Sequence, residues 1–340
     1  MAYTDIDKPS DYFNTVLYTG NGSSQSITGV GFQPDWVWVK RRDSASSHLT
    51  FDAIRGVYEY LIPDQTGAET TRTDSLTSFD SDGFSTGSIS NLNASGSTYV
   101  GWSWLASNTT SSNTDGDIAS TVSANTTSGF SIVTFTGNGT ASGTVGHGLG
   151  VAPKIVLYKK LNGTSDWFFW TTQIDGSNDD LRLNTTDTKS DLSGTSGSIT
   201  ASTFSNYGWG SSDNMVCYCF AEKKGFSKFG SYTGNGSTDG TFVYTGFKPA
   251  FVMGKATSGT ENWFMNDNKR LGYNDKNLRL YPNLSNAEGT STDINMDIFS
   301  NGFKLNSTNA NSNGSGITYI YMAFAESPLV GTNNIPATAR

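Results

Sequence analysis

The side chains best suited to acid–base or nucleophilic chemistry are few and scattered in this sequence. Its two histidines, His48 and His147, lie far apart, and His147 stands between two glycines. Neither a Gly-x-Ser-x-Gly nucleophile elbow nor a phosphate-binding loop occurs. A glycosidase would need two carboxylates facing each other across a cleft, and the sparse glutamates are not paired. We therefore predict no catalytic residue, no cofactor and no enzymatic activity.

Patterns that could bind a metal are also weak. Cys217 and Cys219 stand two residues apart in an apolar stretch without a second pair of ligands, so we predict neither a zinc site nor a disulfide framework. Calcium prefers several oxygen ligands, and the acidic turn with Asp80 and Asp82 is the most suggestive, followed by aspartates within residues 175–180. Matching turns elsewhere in the chain carry Ser-Asn, so we predict that these carboxylates shape turns and bind no metal.

The clearest candidate for a binding surface is aromatic. Residues 167–170 are four consecutive aromatic residues, and residues 262–265 resemble them. Successive strand residues face opposite sides, so one side of this strand should meet a ligand, a partner or a neighbouring domain. The predicted surface consists of Trp167, Trp170, Trp263, Asn266, Asp267 and Arg270, of which the last four belong to a loop region around Trp263 to Tyr273. Its rings and amides would stack on a sugar and bond its hydroxyls; the alternative is packing against a neighbouring subunit.

Composition indicates which elements must position these residues. Glycine is abundant, with 38 of 340 residues, aromatic residues reach 13% and charged residues only 15%, which favours many short strands separated by turns. The net charge of −8 disfavours binding to a phosphate backbone. No apolar stretch approaches the ~20 residues of a membrane span, and the first residues lack a secretion signal. We predict an all-β protein made in a cytoplasm, without nucleic acid as a partner and without membrane insertion.

One pattern occurs three times along the chain, and such repeats decide the fold. An aromatic-Thr-Gly-Asn-Gly turn occurs at residues 18–22, 135–139 and 232–236. A proline that precedes an apolar stretch ending in lysine follows at residues 34–40, 153–159 and 249–255. A Phe-containing turn comes next, beginning at Phe79, Phe204 and Phe299. An apolar strand closes each copy at residues 99–106, 215–221 and 319–325.

The repeats serve as internal controls for individual residues. Trp36 and Trp38 have apolar counterparts in the other copies, so we predict that they belong to the core. Val100, Trp102 and Trp104 form an apolar stripe that we expect to be buried. The cysteines lie on the opposite face of their strand as small fillers. The lysines that end the apolar stretches are expected to snorkel to the surface; the alternative is a charge that faces an adjacent subunit.

The repeats predict three tandem antiparallel β-sandwich domains of the jelly-roll or concanavalin-like type. Their bounds are 1–107, 129–222 and 225–327. Residues 108–128 are rich in Ser, Thr and Asn and are predicted to be a flexible linker. Residues 328–340 are predicted to be a C-terminal tail. At this size each domain could form its own core.

The repeated blocks resemble a domain of marine bacteriophage tail and virion proteins. The resemblance rests on the motifs at residues 146–153, 217–221, 232–236, 246–249, 300–303 and 321–326. It covers nearly the whole chain, and the first copy departs from it where Trp102 and Trp104 replace the Phe-Ala-Glu ending. The resemblance implies a lectin-type β-sandwich located in the virion, and it implies no particular functional residues.

The resulting expectation is a structural protein of a bacteriophage virion, associated with the tail as a fibre, tail tip or other external component, that contributes to host-surface recognition. Its expected partners are other virion proteins, further copies of itself in a trimer or ring, and a host surface glycan. Exposed edge strands motivate the oligomer, because they invite pairing. The alternatives are a carbohydrate-binding, lectin-like array of modules and a polysaccharide-degrading enzyme.

Overall fold

The protein is almost entirely β, with 43% of residues in strands and 2% in helices. A computed structural model describes residues 4–192, 197–270, 274, 278–289 and 295–331. All paired strands named below are antiparallel to their neighbours, so the all-β, antiparallel class predicted from composition is confirmed. Tyr273 and residues 332–340 of the predicted tail lie outside the described residues.

The strands fall along the chain in the order of the three predicted copies, which we call the first, second and third units (1–107, 129–222 and 225–327). The first unit contains a 3-10 helix Pro9–Asp11, a one-turn helix α1 Ser90–Asn93 and strands β1 Phe13–Thr19, β2 Gln25–Thr28, β3 Trp36–Arg41, β4 Leu49–Asp52, β5 Glu59–Tyr60, β6 Thr70–Thr71, β7 Leu76–Asp80, β8 Gly83–Thr86 and β9 Thr98–Trp104. Between the first two units lie β10 Ser111–Asn113 and β11 Ser120–Asn125.

The remaining strands complete the other two units. The second unit contains β12 Phe130–Thr136, β13 Thr144–Gly146, β14 Ile155–Lys160, β15 Phe168–Thr171, β16 Asp179–Arg182, β17 Ser190–Asp191, β18 Thr203–Ser205 and β19 Asn214–Phe220. The third unit contains β20 Ser227–Thr233, β21 Phe242–Tyr244, β22 Phe247–Ala256, β23 Phe264–Asp267, β24 Met296–Phe299, β25 Gly302–Leu305 and β26 Thr318–Pro328.

Each unit has one larger sheet with the same strand order. The orders are β1-β9-β3-β4, β12-β19-β14-β15 and β20-β26-β22-β23, and the second sheet continues into β16 and β17. A smaller sheet accompanies each: β2-β8-β7, β13-β18 and β21-β25-β24. We call the larger sheets inner and the smaller sheets outer, because the inner sheets meet one another. This recurrence agrees with the repeated motifs of the sequence.

The inner faces of the three larger sheets share a single apolar core. Trp36 of the first unit stacks on Tyr218 of the second at 4.5 Å between ring centroids, Trp104 contacts Phe251 of the third at 5.9 Å, and Phe220 contacts Phe324 at 5.9 Å. These separations are typical of favourable aromatic pairs. The three units therefore enclose a common centre, which differs from the independent domains expected from the sequence.

The opposite face of each inner sheet packs on its outer sheet and forms a core of its own. In the second unit this local core contains Cys217, Cys219, Val156 and Phe204. The central strands of the inner sheets are consequently buried on both sides, which explains why so many of their residues are apolar; these strands are β3, β9, β14, β19, β22 and β26. Val100, Trp102 and Trp104 are buried as predicted, at 2% exposure or less, and they face the shared centre.

The segment 108–128, predicted as a flexible linker, belongs to the second inner sheet. Strand β11 pairs along its full length with β12, and β10 pairs with β11. The Ser and Thr residues of this segment suit a strand at a sheet edge, where one side is exposed and hydroxyl groups bond neighbouring backbone. The segment that connects the first and second units is thus an extension of the second inner sheet.

The structure also corrects one sequence equivalence. Phe204 pairs with Val145 in the outer sheet, as Phe84 pairs with Ile27 and Phe303 with Val243. Phe204 therefore corresponds to Phe84 and Phe303, rather than to Phe79 and Phe299 as the turn motif suggested. Among the described residues of the second unit, no outer strand corresponds to the strands β7 and β24 that carry the latter two.

The three Asn-Gly turns are held by a matching asparagine from the end of each unit. The side-chain amide nitrogens of Asn93, Asn206 and Asn313 donate to the carboxamide oxygens of Asn21, Asn138 and Asn235 at 3.2, 3.0 and 2.9 Å. The glycine that follows each turn asparagine has a positive φ of 74°, 78° and 65°, which favours glycine. The repeated motif therefore has a structural role.

Candidate functional site

The six residues predicted to form an exposed binding surface are buried. Trp167, Trp170, Trp263, Asn266, Asp267 and Arg270 are each exposed by 1% or less. Trp170 belongs to the local core of the second unit, where its indole N–H donates to Asn178. Asn266 donates to the carbonyl oxygen of Leu278 within the third unit, and the other four residues lie where units meet. The structure therefore does not support a ligand surface at these residues, and it agrees with the alternative in which one side of the aromatic strands meets a neighbouring unit of the same chain.

A cyclic set of hydrogen bonds joins the units. The indole N–H of Trp167 donates to the carbonyl oxygen of Ile62 at 3.0 Å, and that of Trp263 donates to the carbonyl oxygen of Arg182 at 2.8 Å. His48 completes the cycle, with its Nε2 3.0 Å from the carbonyl oxygen of Tyr281 in the third unit. Each unit donates to one neighbour and accepts from the other.

A second cyclic set involves backbone groups. The N–H groups of Glu69, Lys189 and Glu288 donate to the carbonyl oxygens of Leu161, Thr257 and Arg42 at 2.8, 2.9 and 2.8 Å. Each acceptor follows the lysine that ends an apolar stretch by two residues. The chain therefore has the bonding pattern of a trimer with an approximate threefold axis.

Two of the three interfaces contain a buried arginine–aspartate pair. At the interface between the third and first units, Arg270 Nε lies 2.6 Å from Asp267 Oδ2, and the same oxygen accepts from the indole N–H of Trp102 at 3.0 Å. At the interface between the first and second units, Arg55 lies 2.5 Å from Asp52, which accepts from the hydroxyl of Tyr218.

The third interface has apolar or neutral residues at these positions. Thr171 and Ile174 of the second unit correspond to Asp267 and Arg270, and the third unit presents Met322 where Trp102 and Tyr218 donate in the other two. The arginine–aspartate pairs are therefore not essential for this packing geometry.

The three lysines predicted to snorkel are buried instead. Lys40, Lys159 and Lys255 are fully buried, and their ammonium groups donate to backbone carbonyl oxygens. The acceptors of Lys159 include Thr66 of the first unit, 2.9 Å away. Burial lowers the pKa of each lysine to about 8. Both sequence alternatives placed these charges at a surface, whereas they lie inside the assembled chain.

We expect the free energy of unfolding to rise between pH 7 and pH 9. The folded pKa of these lysines is about 8, below the value of 10.5 for an unperturbed lysine, so the folded state loses protons first. The unfolded state then binds more protons, and stability rises with pH, by about 1 kcal/mol for each lysine over this range. Urea denaturation at several pH values measures the slope.

The substitution Lys159→Met serves as the control for this pH dependence. It removes one titrating group, so the slope should fall by roughly a third. A stability that is flat or decreasing from pH 7 to pH 9 in the unmodified chain would contradict the prediction. From about pH 8.5 upwards, where an unfolded thiol titrates, the buried thiols of Cys217 and Cys219, whose pKa values are raised by burial, oppose part of the gain.

Other titratable groups are engaged in the structure as well. His48 Nδ1 accepts from the indole N–H of Trp38 at 2.9 Å, so its Nε2 carries the proton and donates to the third unit. His147 Nδ1 accepts from the backbone of Leu149, and Nε2 bonds the carbonyl oxygen of Thr200. Burial lowers the pKa of both histidines. These bonds position loops and interfaces.

The acidic residues considered for calcium have internal partners. Asp82 accepts from the backbone N–H groups of Gly29 and Gly31, and Asp80 accepts from two serines. In the second unit the ammonium group of Lys189 lies 2.5–2.8 Å from carboxylates of Asp175, Asp179 and Asp191. Lysine thus supplies the positive charge in that cluster.

The surface of the chain has several accessible features. A groove of about 530 Å³ lies between the first and second units and is lined by hydroxyl side chains around the paired Arg55 and Glu69. The outer sheet of the third unit exposes three aromatic side chains, Phe242, Tyr244 and Phe299. Sequence reasoning missed these three, although the comparison of copies contains the signal, since the first two units have small or polar residues there.

Comparison with known proteins adds the family. Among the described residues, no helix is long and apolar enough to cross a membrane. No curated protein matches the chain. One family model, described as a domain of unknown function, matches residues 8–328 and so spans all three units in a single match. The chain therefore belongs to the family named Domain of unknown function (DUF7483).

Proposed function

We propose that the protein is a structural component of a bacteriophage virion, on an external, tail-associated part such as a fibre or tail tip, and that it contributes to host-surface recognition. The observation that carries the proposal furthest is the closed packing of three units around one core, joined by two cyclic sets of hydrogen bonds. A rigid block with an approximate threefold axis suits a position on a rotationally symmetric assembly.

The use of chemically active side chains supports a structural role. Both histidines, the buried lysines and the arginine–aspartate pairs hold units together or fix loops. The proposed partners are other virion proteins and further copies of the chain. Because the inner faces already meet within one chain, such contacts would use the outer surfaces.

Mass spectrometry of density-gradient-purified phage particles, combined with immunogold labelling, tests the proposal. We expect the chain in intact particles at a fixed ratio to the other virion proteins, with gold particles on the tail or its tip. Presence of the chain in infected-cell lysate but absence from purified particles would overturn the proposal.

A carbohydrate-binding role is the second candidate, and a specific observation favours it. The exposed aromatic residues on the third unit's outer sheet have no structural counterpart in the other units. Such exposed rings are suited to binding a ligand, and this role does not depend on where the chain is located.

A further inference from the structure

Six outward-facing positions form a small grid on the outer sheet of the third unit. Cross-strand pairing places Tyr244 and Phe299 on either side of Gly302, and Phe242 and Asp297 on either side of Lys304. Directly opposed residues of antiparallel strands share a face. The alternate positions, including Phe303, are buried in the local core. The grid therefore faces away from the protein interior.

Three of these positions expose aromatic rings beside Gly302, and the ring of Phe242 lies over this glycine. Phe242, Tyr244 and Phe299 are 45%, 58% and 37% exposed, and the rings of Phe242 and Phe299 lie 6.0 Å apart, edge to face. Gly302 has no side chain, and a Cβ atom there would lie 2.1 Å from the carbonyl oxygen of Val243. We call this feature the aromatic cradle (Phe242, Tyr244, Phe299 and Gly302).

The fold does not require aromatic residues in the cradle. Strand register places Ser26, Thr28 and Asp80 of the first unit at the positions of Phe242, Tyr244 and Phe299. There the hydroxyl of Ser26 bonds that of Ser85 at 2.8 Å, and Ser85 donates to the Asp80 carboxylate at 2.6 Å. The second unit has Thr144 and Gly146 on the corresponding strand. The first two units thus build the equivalent outer strand with small or polar residues. The fold alone therefore does not explain why the third unit exposes three aromatic rings to water.

The size of the cradle fits a small ligand better than a protein. The three side chains together expose on the order of 300 Å² of surface, because a buried Phe or Tyr contributes about 150–250 Å². A stable protein interface needs about 800 Å² from each partner. One or two sugar rings match the smaller area.

The groups beside the rings match a hydroxylated ligand. Lys304 and Asp297 lie in the neighbouring row of the grid, and Lys304 is ion-paired with the exposed Asp239. An ammonium group has three donors, so donors and acceptors border the rings on one side. Aromatic faces beside such groups bind the C–H face and the hydroxyls of a neutral sugar, while the net charge of −8 disfavours a polyanion.

A cavity extends the cradle at Tyr244. This residue also lines a cavity of about 260 Å³, together with Glu222 and Lys228, whose charged groups are 2.8 Å apart. A ligand longer than one ring can therefore contact both features, and we expect affinity to increase from a monosaccharide to a short oligosaccharide.

We propose that the aromatic cradle is a binding site for a neutral pyranose sugar within an oligosaccharide. This inference deepens the recognition part of the proposed function and rests on it. Its test is separate from particle composition, since sugar binding can fail while the chain is found in virions, and the reverse can also occur.

The test uses the full chain on an array of neutral gluco-, manno- and galacto-oligosaccharides of one to six units, followed by calorimetric titration with the sugar that binds best. The double substitution Phe242→Ser, Tyr244→Thr copies the first unit and should weaken binding at least tenfold. Leu17→Ser is the control, because Leu17 is exposed on β1 and its counterpart in the third unit is Ser231. It should bind like the unmodified chain.

Several outcomes would overturn the proposal. These are binding to no sugar of the array, equal binding by the double variant and the unmodified chain, and equal weakening by Leu17→Ser. A dimer that the double substitution converts into a monomer, measured by light scattering, would assign the surface to a second copy. If the double variant has a lowered melting temperature, the single substitutions Tyr244→Thr and Phe299→Asp, which also copy the first unit, provide the measurement.

Discussion

Replacing Arg270 by methionine is expected to lower the free energy of unfolding by about 3–5 kcal/mol, because the substitution leaves a buried carboxylate without its counter-ion. Asp267 is 1% exposed, and Arg270 supplies the charge 2.6 Å from its Oδ2. Arg270 also bonds Glu288 at 3.0 Å and the carbonyl oxygen of Met265 at 3.1 Å. Denaturation by guanidinium, followed by tryptophan fluorescence, measures the loss.

The chain contains a natural control for this substitution. Thr171 and Ile174 occupy the equivalent positions at the interface between the second and third units. The double substitution Asp267→Thr, Arg270→Ile should therefore cost less than Arg270→Met alone, since replacing a buried ion pair by apolar residues is often close to neutral. Part of the cost remains, about 1–3 kcal/mol, because the indole N–H of Trp102 loses its acceptor.

The comparison of these two variants decides the role of the pair. Residues in contact give non-additive energies, so the single substitutions Asp267→Thr and Arg270→Ile, measured beside the double substitution, complete a cycle that gives the interaction energy of the pair. A double variant that is less stable than Arg270→Met would show that the pair stabilises the interface beyond neutralising its own charges. It would contradict the conclusion that the apolar interface is an equivalent solution.

The sequence was sufficient to predict the class and the local elements. Alternation of apolar and polar residues, together with Asn-Gly turns, predicts antiparallel strands, and the recurring blocks align three sheets of the same order. Burial of Trp36, Trp38, Trp102 and Trp104 followed from comparing copies. These predictions depend on periodicity and on local turn geometry, both of which are encoded over a few residues.

The shared core could not be predicted from the same patterns. A strand with apolar residues on both faces has the same sequence whether its second face meets another sheet of its own domain or a neighbouring copy. The sequence therefore leaves open whether Trp167 and Trp263 meet a ligand, a partner or a neighbouring domain, and the structure shows them donating to neighbouring units of the same chain. Their equivalent in the first unit is His48, a different residue type that performs the same bond. Chemical equivalence of this kind is visible only in the assembled structure.

The linker prediction failed for a related reason. Residues 108–128 have the composition of a flexible segment, but strand β11 pairs with β12 at the edge of a sheet that the other residues build. Backbone hydrogen bonds to an existing edge need no particular side chains. The composition of this segment therefore predicts flexibility, whereas hydrogen bonds to the edge strand β12 order its backbone.

The third unit alone, as a fragment of residues 225–331, is expected not to remain a folded monomer. Its inner face would expose the side chains that the shared core buries, which are Phe229, Phe251, Met253, Met265, Ile320, Met322 and Phe324. Losing their burial forfeits roughly 10–20 kcal/mol at 1.5–3 kcal/mol for each side chain. A folded domain is stable by only about 5–15 kcal/mol, so the fragment should unfold, aggregate or self-associate through this face.

Size-exclusion chromatography with light scattering at micromolar concentration measures the state of this fragment. The full chain, which should melt in one cooperative transition, is the control. A monomeric fragment that melts at the temperature of the full chain would show instead that the local core between β20–β26 and the outer sheet is sufficient, and that the three units are independent domains that merely touch.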